Sequence, residues 1–272
     1  MSGPDLRRFY RGFTLVELAV VLAIVGFLLG SLMLTLSAQM ESRNTGDTQQ
    51  RLEQAKELLL AFAIVNGRVP CPARSNSAGA EVRDAVSGVC TDGAVEDYYG
   101  GTPGGNVGGL LPATTIGFQP VDSQGFALDA WGNRIRYAVA RVLDGSVATC
   151  PDTATFAHFT LATKLKSNGI TCAPKDLIVC NVTQAIAVDV ACAANTAVTN
   201  RRTVAAIVLS TGKNGVRGPQ GTNETENVDG NHVFVSKTPD PSGVATGEFD
   251  DLLVWIPVGV LYGKLISAGV LP

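Results

Sequence analysis

The first strong pattern along the chain is an apolar run from residue 13 to residue 36, in which Glu17 is the only charged side chain. A helix rises about 1.5 Å per residue, so these 24 residues form a helix about 36 Å long. That length is enough to cross a hydrocarbon core of about 30 Å. A carboxylate inside a membrane helix is costly and commonly functional. The position of Glu17 therefore needs an explanation.

An amphipathic pattern follows and predicts a second helical half at residues 37–66. Its apolar side chains recur at helical spacing: Leu52, Ala55, Leu59 and Phe62. Charged side chains occupy much of the other face. Gly67 is a suitable C-cap, and the prolines at positions 70 and 72 prevent the helix from continuing. We therefore expect one long N-terminal helix with a transmembrane half at 13–36 and an amphipathic half at 37–66.

Short strand-like segments replace the helical pattern in the remaining chain. Residues 134–139 alternate polar and apolar side chains, as a half-buried antiparallel strand does. Further predicted strands, separated by Gly, Pro, Asn and Asp clusters, are 156–162, 176–180, 203–209, 233–235 and 252–256. Residues 74–125 are predicted to be mostly loop, including the glycine-rich stretch 100–109. The order predicts an α+β fold, in which an antiparallel β-sheet of the globular domain (67–272) packs on the outer half of the helix.

Composition and charge limit the classes of function. A net charge of −3 and a pI near 5.4 give no indication of nucleic-acid binding. The two histidines, His158 and His232, lie in no frame typical of an enzyme, and we expect both on the surface or in loops. With so few histidines and no paired CxxC, a zinc site is not expected either. The sequence therefore predicts no enzyme.

Arginine distribution predicts the orientation in the membrane. Arginines at positions 7, 8 and 11 precede the apolar run, and no comparable basic cluster follows it. The positive-inside rule then places the N-terminus in the cytoplasm and the body of the chain across the membrane. An ordinary secretory signal peptide or a simple anchor would also fit this pattern. However, Ser37-Ala38-Gln39 is a poor cleavage site for signal peptidase, and neither alternative explains Glu17.

Six cysteines follow the apolar run, on the exported side of the predicted membrane segment: Cys71, Cys90, Cys150, Cys172, Cys180 and Cys192. Widely spaced cysteines in an oxidising compartment indicate disulfides. Six cysteines allow 15 pairings. Cys71–Cys90 closes a loop just after the helix, and proximity along the chain gives Cys150–Cys172 and Cys180–Cys192. The sequence thus predicts three disulfides within long loops.

The segment Gly12-Phe13-Thr14-Leu15-Val16-Glu17, followed by an apolar helix, resembles the class III signal of type IV pilins and type II secretion pseudopilins. In that family a membrane peptidase cuts after the glycine, and the new terminal phenylalanine is N-methylated. The resemblance implies cleavage between Gly12 and Phe13, which makes residues 1–12 a leader. It also implies that Glu17 pairs with the terminal amine of a neighbouring subunit in a filament. Such a pair would largely offset the cost of burying two charges.

Two later segments extend the resemblance. Residues 128–137 are similar to the D-x-WG-N…Y strand of the major pseudopilins, although an aromatic-anchored turn before a core strand explains them equally well. Residues 210–215 and 248–255 are similar to that family's C-terminal loop and the acidic strand after it. The chain departs from the family in its length and in residues 138–205, which resemble a cysteine-rich insertion.

The C-terminal loop of those relatives can hold Ca²⁺, so the resemblance implies a calcium site at Asp250 and Asp251. Calcium requires six to eight oxygens. Backbone carbonyls and Asn214 or Asp229 would have to complete the set. The loop is long and lacks a compact D-x-D pattern, so the residues themselves favour a loop without metal.

The resemblance implies a structural subunit of a type IV pilus or a type II secretion pseudopilus, which assembles by helix packing. Its partners would be other pilin or pseudopilin subunits, the prepilin peptidase and methylase, and the inner-membrane assembly platform. The alternative is a minor or tip pilin, or adhesin, that primes the filament or binds a surface or a secreted substrate. Before assembly the subunit would be a single-pass inner-membrane protein with its body in the periplasm. After assembly it would lie in the pilus or pseudopilus.

Overall fold

A computed structural model of the protein describes residues 12, 14–90, 109–141, 158–174, 176–182, 192, 195–200, 202–215, 218, 221–240 and 247–271. For residues 29–38 it describes the helical backbone alone. The chain divides into two compact units, Met1–Asn44 and Thr45–Pro272. Each unit is described by itself.

The first helix, α1, spans Leu15–Asn66. In the first unit, the described side chains of residues 15–28 are all exposed. Within the part of the chain that the structure describes, no helix combines the length and the apolar character needed to cross a membrane. The helix ends where the sequence predicts: Gly67 adopts φ +66°, and its N–H donates to the Ala63 carbonyl at 2.8 Å. The prediction of Gly67 as the C-cap is confirmed.

The second unit adds short helices and strands after α1. The helices are α2 (Ala113–Ile116), α3 (Ala162–Asn168), α4 (Thr222–Glu226) and α5 (Val258–Ser267), with a 3₁₀ turn at Gly169–Thr171. The strands are β1 (Arg136–Val139), β2 (Ile178–Cys180), β3 (Val204–Ser210), β4 (Val233–Val235) and β5 (Leu252–Pro257). The α+β class is therefore confirmed as a mixed fold with an N-terminal helix and an antiparallel sheet.

The main sheet is antiparallel and has the strand order β1-β3-β5. Tyr137 pairs with Val208 on one side of β3, and Val208 pairs with Val254 on the other. Every residue of the central strand is buried, which matches its continuous apolar sequence. Apolar side chains from the second half of α1, including Leu52, Ala55 and Leu59, lie in the same core as this sheet.

The structure differs from the sequence prediction in two places. A second sheet, β2-β4, is parallel and was not predicted. Residues 158–161 form turns and coil rather than part of a strand at 156–162, and α3 begins at Ala162. His158 and Thr160 are fully buried there and His158 enters a side-chain network, so tertiary contacts override the local pattern. The remainder of that predicted strand, residues 156 and 157, lies outside the described residues.

Two disulfides join the loops as the pairing along the chain predicts. Cys71–Cys90 closes the loop after α1, and Cys180–Cys192 starts at the end of β2. Cys172 is also disulfide-bonded, and its predicted partner Cys150 lies outside the described residues. Most of the glycine-rich stretch 100–109 lies outside them as well.

Candidate functional site

Three acidic side chains converge in the second unit. Glu224 comes from α4, and Asp250 and Asp251 immediately precede β5. Carboxylate oxygens of the three lie within 4.8 Å of one another. Glu224 is only 1% exposed and Asp251 only 4%, while Asp250 is half-buried. We call these three residues the acidic cluster.

Asn214 holds the acidic cluster together from the loop after β3. Its side-chain amide donates to both oxygens of Glu224, at 2.9 and 3.1 Å, and its backbone N–H donates to Asp250 Oδ2 at 3.1 Å. The amide of Asn227 donates to Asp251 Oδ2 at 2.7 Å. In contrast, Asp250 Oδ1 is buried and has no hydrogen-bond partner. The acidic cluster therefore includes one buried acceptor that is not used.

Burial and mutual repulsion raise the pKa of two of the carboxyls. Burial first, then the charge of Glu224, raises the pKa of Asp250 to about 6. Burial raises the pKa of Asp251 to about 8, although the hydrogen bond from Asn227 opposes the shift. Near neutral pH, the charged form of Asp251 is therefore disfavoured unless a proton or a cation joins it.

The donor set of the acidic cluster suits a hard cation. Ca²⁺ takes six to eight oxygens and prefers carboxylates, amide oxygens and backbone carbonyls. The three carboxylates carry six oxygens, and the buried, unpartnered Asp250 Oδ1 is the acceptor that a cation would satisfy. Asp229, the other candidate ligand from the sequence, instead accepts hydrogen bonds from Asn231 at 2.9 and 2.7 Å. Glu224 takes its place in the set.

A cavity of about 440 Å³ adjoins the acidic cluster. Its lining includes Glu224 and Asp251 from the cluster, Asn133 and Arg136 from the turn and strand β1, and Thr211 from the loop after β3. Burial lowers the pKa of Arg136, and the charge of Asp251 opposes the shift. Two members of the acidic cluster, Glu224 and Asp251, thus line this cavity.

The second candidate region is the start of α1. The backbone N–H and the hydroxyl of Thr14 both donate to Glu17 Oε2 at 2.9 Å, and the Glu17 N–H donates to Thr14 Oγ1 at 3.2 Å. This reciprocal arrangement is a capping box. The pattern T-x-x-E ahead of an apolar run was present in the sequence, but the sequence analysis did not use it.

A comparison with protein-family models decides what this N-terminal segment is. Residues 7–33 match the prokaryotic N-terminal methylation motif. The chain carries the class III signal of type IV pilins and pseudopilins. The resemblance of the N-terminal segment to the class III signal is confirmed. Proteins with this class III signal are structural rather than enzymatic. Comparisons with curated proteins and with solved structures found no match.

The predicted processing, assembly and metal-binding residues lie in the class III signal and in the acidic cluster. Gly12 and Glu17 lie within the residues matched to the class III signal, and so does Phe13, which lies outside the described residues. Asp250 and Asp251 are consecutive in the sequence, and Glu224 joins them from 26 residues away. His158 lies in a turn, as the expectation of a surface or loop position allows, but its side chain is fully buried.

Proposed function

We propose that the protein is a structural subunit of a type IV pilus or a type II secretion pseudopilus. The observation that carries this proposal is the methylation motif at residues 7–33. In this proposal, prepilin peptidase removes residues 1–12, and residue 13 becomes an N-methylated phenylalanine. Residues 13–36 anchor the subunit in the inner membrane and then form the filament core, with the globular body on the exported side.

Glu17 would have two partners in this proposal. Within one subunit it caps its own helix through Thr14. Within a filament its carboxylate would pair with the terminal amine of a neighbouring subunit, because two opposite charges in a low-dielectric bundle offset each other's desolvation. Such a pair would also fix the axial register between subunits.

Mass spectrometry of sheared surface filaments tests the proposal. A subunit should be found in the filament fraction with N-methyl-Phe13 at its start. A copy number comparable to that of the commonest pilin indicates a major subunit. A few copies per filament indicate the minor or tip role, for which the loop disulfides would stabilise an exposed head. If the chain occurs only in the membrane fraction of cells that make filaments, the subunit proposal is wrong.

We further propose that the acidic cluster binds Ca²⁺ and stabilises the exported domain. Support comes from the close approach of three carboxylates, from the burial of Glu224 and Asp251, and from the unpartnered Asp250 Oδ1. Glu224, Asp250 and Asp251 would hold the ion. The ion would supply a fixed positive charge that removes the repulsion among them.

Thermal unfolding with and without calcium tests this second proposal. Extracellular calcium sites commonly have a Kd of about 0.1–1 mM. A calcium concentration 100-fold above Kd adds about 2.7 kcal/mol, which raises the Tm of a domain of this size by about 5–10 °C. Glu224→Gln should lose the shift, whereas Asp229→Asn, outside the cluster, should keep it. An equal shift in both variants would show that calcium acts elsewhere.

A further inference from the structure

The turn at residues 128–133 is attached to α1 by hydrogen bonds within the second unit. Arg51 Nη1 donates to the backbone carbonyls of Leu128 and Asp129, at 3.0 and 2.5 Å. The N–H of Ala130 donates to Thr48 Oγ1 at 3.1 Å, and Thr48 is fully buried. Two side chains of the helix thus hold the backbone of this turn.

The same turn is attached to the end of β3 by buried side chains. The Asp129 carboxylate accepts hydrogen bonds from the Asn133 N–H at 2.8 Å and from Ser210 Oγ at 2.6 Å. The Asn133 amide donates to the Gly212 carbonyl at 2.5 Å. Asp129, Asn133 and Ser210 are 2%, 8% and 0% exposed. Because an unsatisfied polar group at this depth is costly, breaking any one of these bonds is unfavourable.

The loop after β3 then continues directly into the acidic cluster. Gly212 adopts φ +61°, and a Cβ at this position would collide with the side chain of Asp250. Two residues later, Asn214 binds both Asp250 and Glu224. The Gly212 carbonyl held by Asn133 is therefore part of the loop that packs against the cluster.

We propose that Asp129 and Asn133 couple cation binding in the acidic cluster to the seating of the 128–133 turn on α1, with Asn133 as the positioning residue. The inference rests on the proposed calcium site. A cation that fixes Asp250 and Glu224 also fixes the loop at Gly212 and Asn214, and the buried bonds of Asn133 and Asp129 transmit that order to the turn. The coupling is reciprocal by linkage, so that loosening the turn from α1 weakens calcium binding.

Calcium affinity of an α1 variant gives the first test. Arg51→Met keeps the aliphatic stem but removes both hydrogen bonds to the turn. Lys56→Met is the matched control, because Lys56 lies on the same helix and pairs with Glu53. Titration of CaCl₂ into the mature full chain in detergent should show a Kd about fivefold or more higher for Arg51→Met, and less than twofold higher for Lys56→Met. A purely structural role of Arg51 would not change Kd.

Hydrogen exchange of the same protein, with and without calcium, gives the second test. Calcium should slow exchange at residues 212–214, at 248–251 and at 128–133 in the wild type. In Asn133→Ala, the protection at 128–133 should disappear while that at 212–214 remains. Ser210→Ala, which removes one hydrogen bond to Asp129, should give the same result where Asn133→Ala does not fold.

The outcomes separate this inference from the calcium site itself. Either of two results would overturn the coupling but not the calcium site. One is an equal Kd for Arg51→Met and Lys56→Met. The other is calcium-dependent protection of the wild type that is confined to residues 212–214 and 248–251. Absence of calcium binding by the wild type overturns both.

Discussion

Replacing Glu81 by glutamine should destabilise the second unit strongly, although the residue lies in a loop. The Arg68 guanidinium donates to both oxygens of Glu81, at 2.8 and 2.6 Å, and the Cys71 N–H donates to Oε2 at 2.9 Å. The side chains of Arg68 and Glu81 are only 12% and 14% exposed. This pair therefore joins the end of α1 to the loop closed by the Cys71–Cys90 disulfide.

The magnitude follows from what the substitution leaves behind. Removing one partner of a buried ion pair costs about 3–5 kcal/mol, because the other charge stays buried and uncompensated. Glutamine keeps an acceptor for one hydrogen bond and the pair is slightly exposed, so we expect about 2–3 kcal/mol. For a domain of roughly 150–250 residues, each kcal/mol lowers Tm by about 2–4 °C. The expected decrease in Tm is therefore about 4–12 °C.

The loss should depend on pH in a defined direction. Burial raises the pKa of Glu81, but the hydrogen bonds from Arg68 and Cys71 and the charge of Arg68 outweigh it, so that the folded-state pKa lies below the ordinary value of 4.5. A depressed folded-state pKa stabilises the fold fully above the unfolded-state pKa, and this stabilisation is lost as pH falls through the folded value. The difference between wild type and Glu81→Gln should therefore shrink as pH is lowered from about 6 to about 3.

Urea unfolding of both proteins across this pH range measures the effect. Glu53→Gln is the control, because Glu53 pairs with Lys56 at 3.0 Å but its side chain is 48% exposed. An exposed pair of this kind contributes less than about 0.5 kcal/mol. If Glu81→Gln loses no more stability than Glu53→Gln, or if its loss is independent of pH, the reasoning from burial is refuted.

Three further predictions concern export and assembly. N-terminal sequencing of the mature protein should find N-methyl-Phe13, and Gly12→Ala should block processing; a start at Met1 in the wild type would contradict this. Alkylation of the denatured, unreduced mature protein should label no cysteine, whereas labelling of two or more would exclude three disulfides. Glu17→Ala should still insert into the membrane and be processed, but its ratio of filament to membrane-retained protein should fall. Glu17→Gln should give an intermediate ratio. A wild-type ratio for Glu17→Ala would contradict the proposed pairing of Glu17 with a neighbour's amine.

The sequence predicted those parts of the fold that local chemistry determines. The end of α1 follows from a glycine that adopts positive φ at position 67 and from the prolines after it. The strands β1, β3, β4 and β5 appear within one or two residues of their predicted bounds, because each has a period or an apolar run that only a strand satisfies here. The pairing of the strands could not be predicted from local sequence. The parallel pairing of β2 with β4 depends on contacts between segments more than 50 residues apart, which no local pattern records.

The acidic cluster, too, could be predicted only in part from the sequence. Asp250 and Asp251 are adjacent in sequence and resemble a family loop, so they could be predicted. Glu224 could not, because α4 is a five-residue helix with two buried glutamates, and only the folded chain shows that Glu224 lies beside Asp250 and Asp251. The contact of Arg51 with the 128–133 turn is equally non-local. Helical spacing places Arg51 on the charged face of the helix but does not show which segment it contacts.

The capping box gives the Glu17 carboxylate a partner within its own subunit. From the sequence, the cost of the Glu17 carboxylate was expected to be offset by the terminal amine of a neighbouring subunit. In the structure, both bonds from Thr14 reach Oε2, and among the described residues none is recorded to Oε1. An ionised carboxylate has about four acceptor sites on its two oxygens. Helix capping within the subunit and amine binding between subunits can therefore use the same side chain at once. The hydrogen bonds from Thr14 also hold the Glu17 carboxylate in place before assembly. Less side-chain entropy would therefore be lost when a neighbour's amine binds this carboxylate.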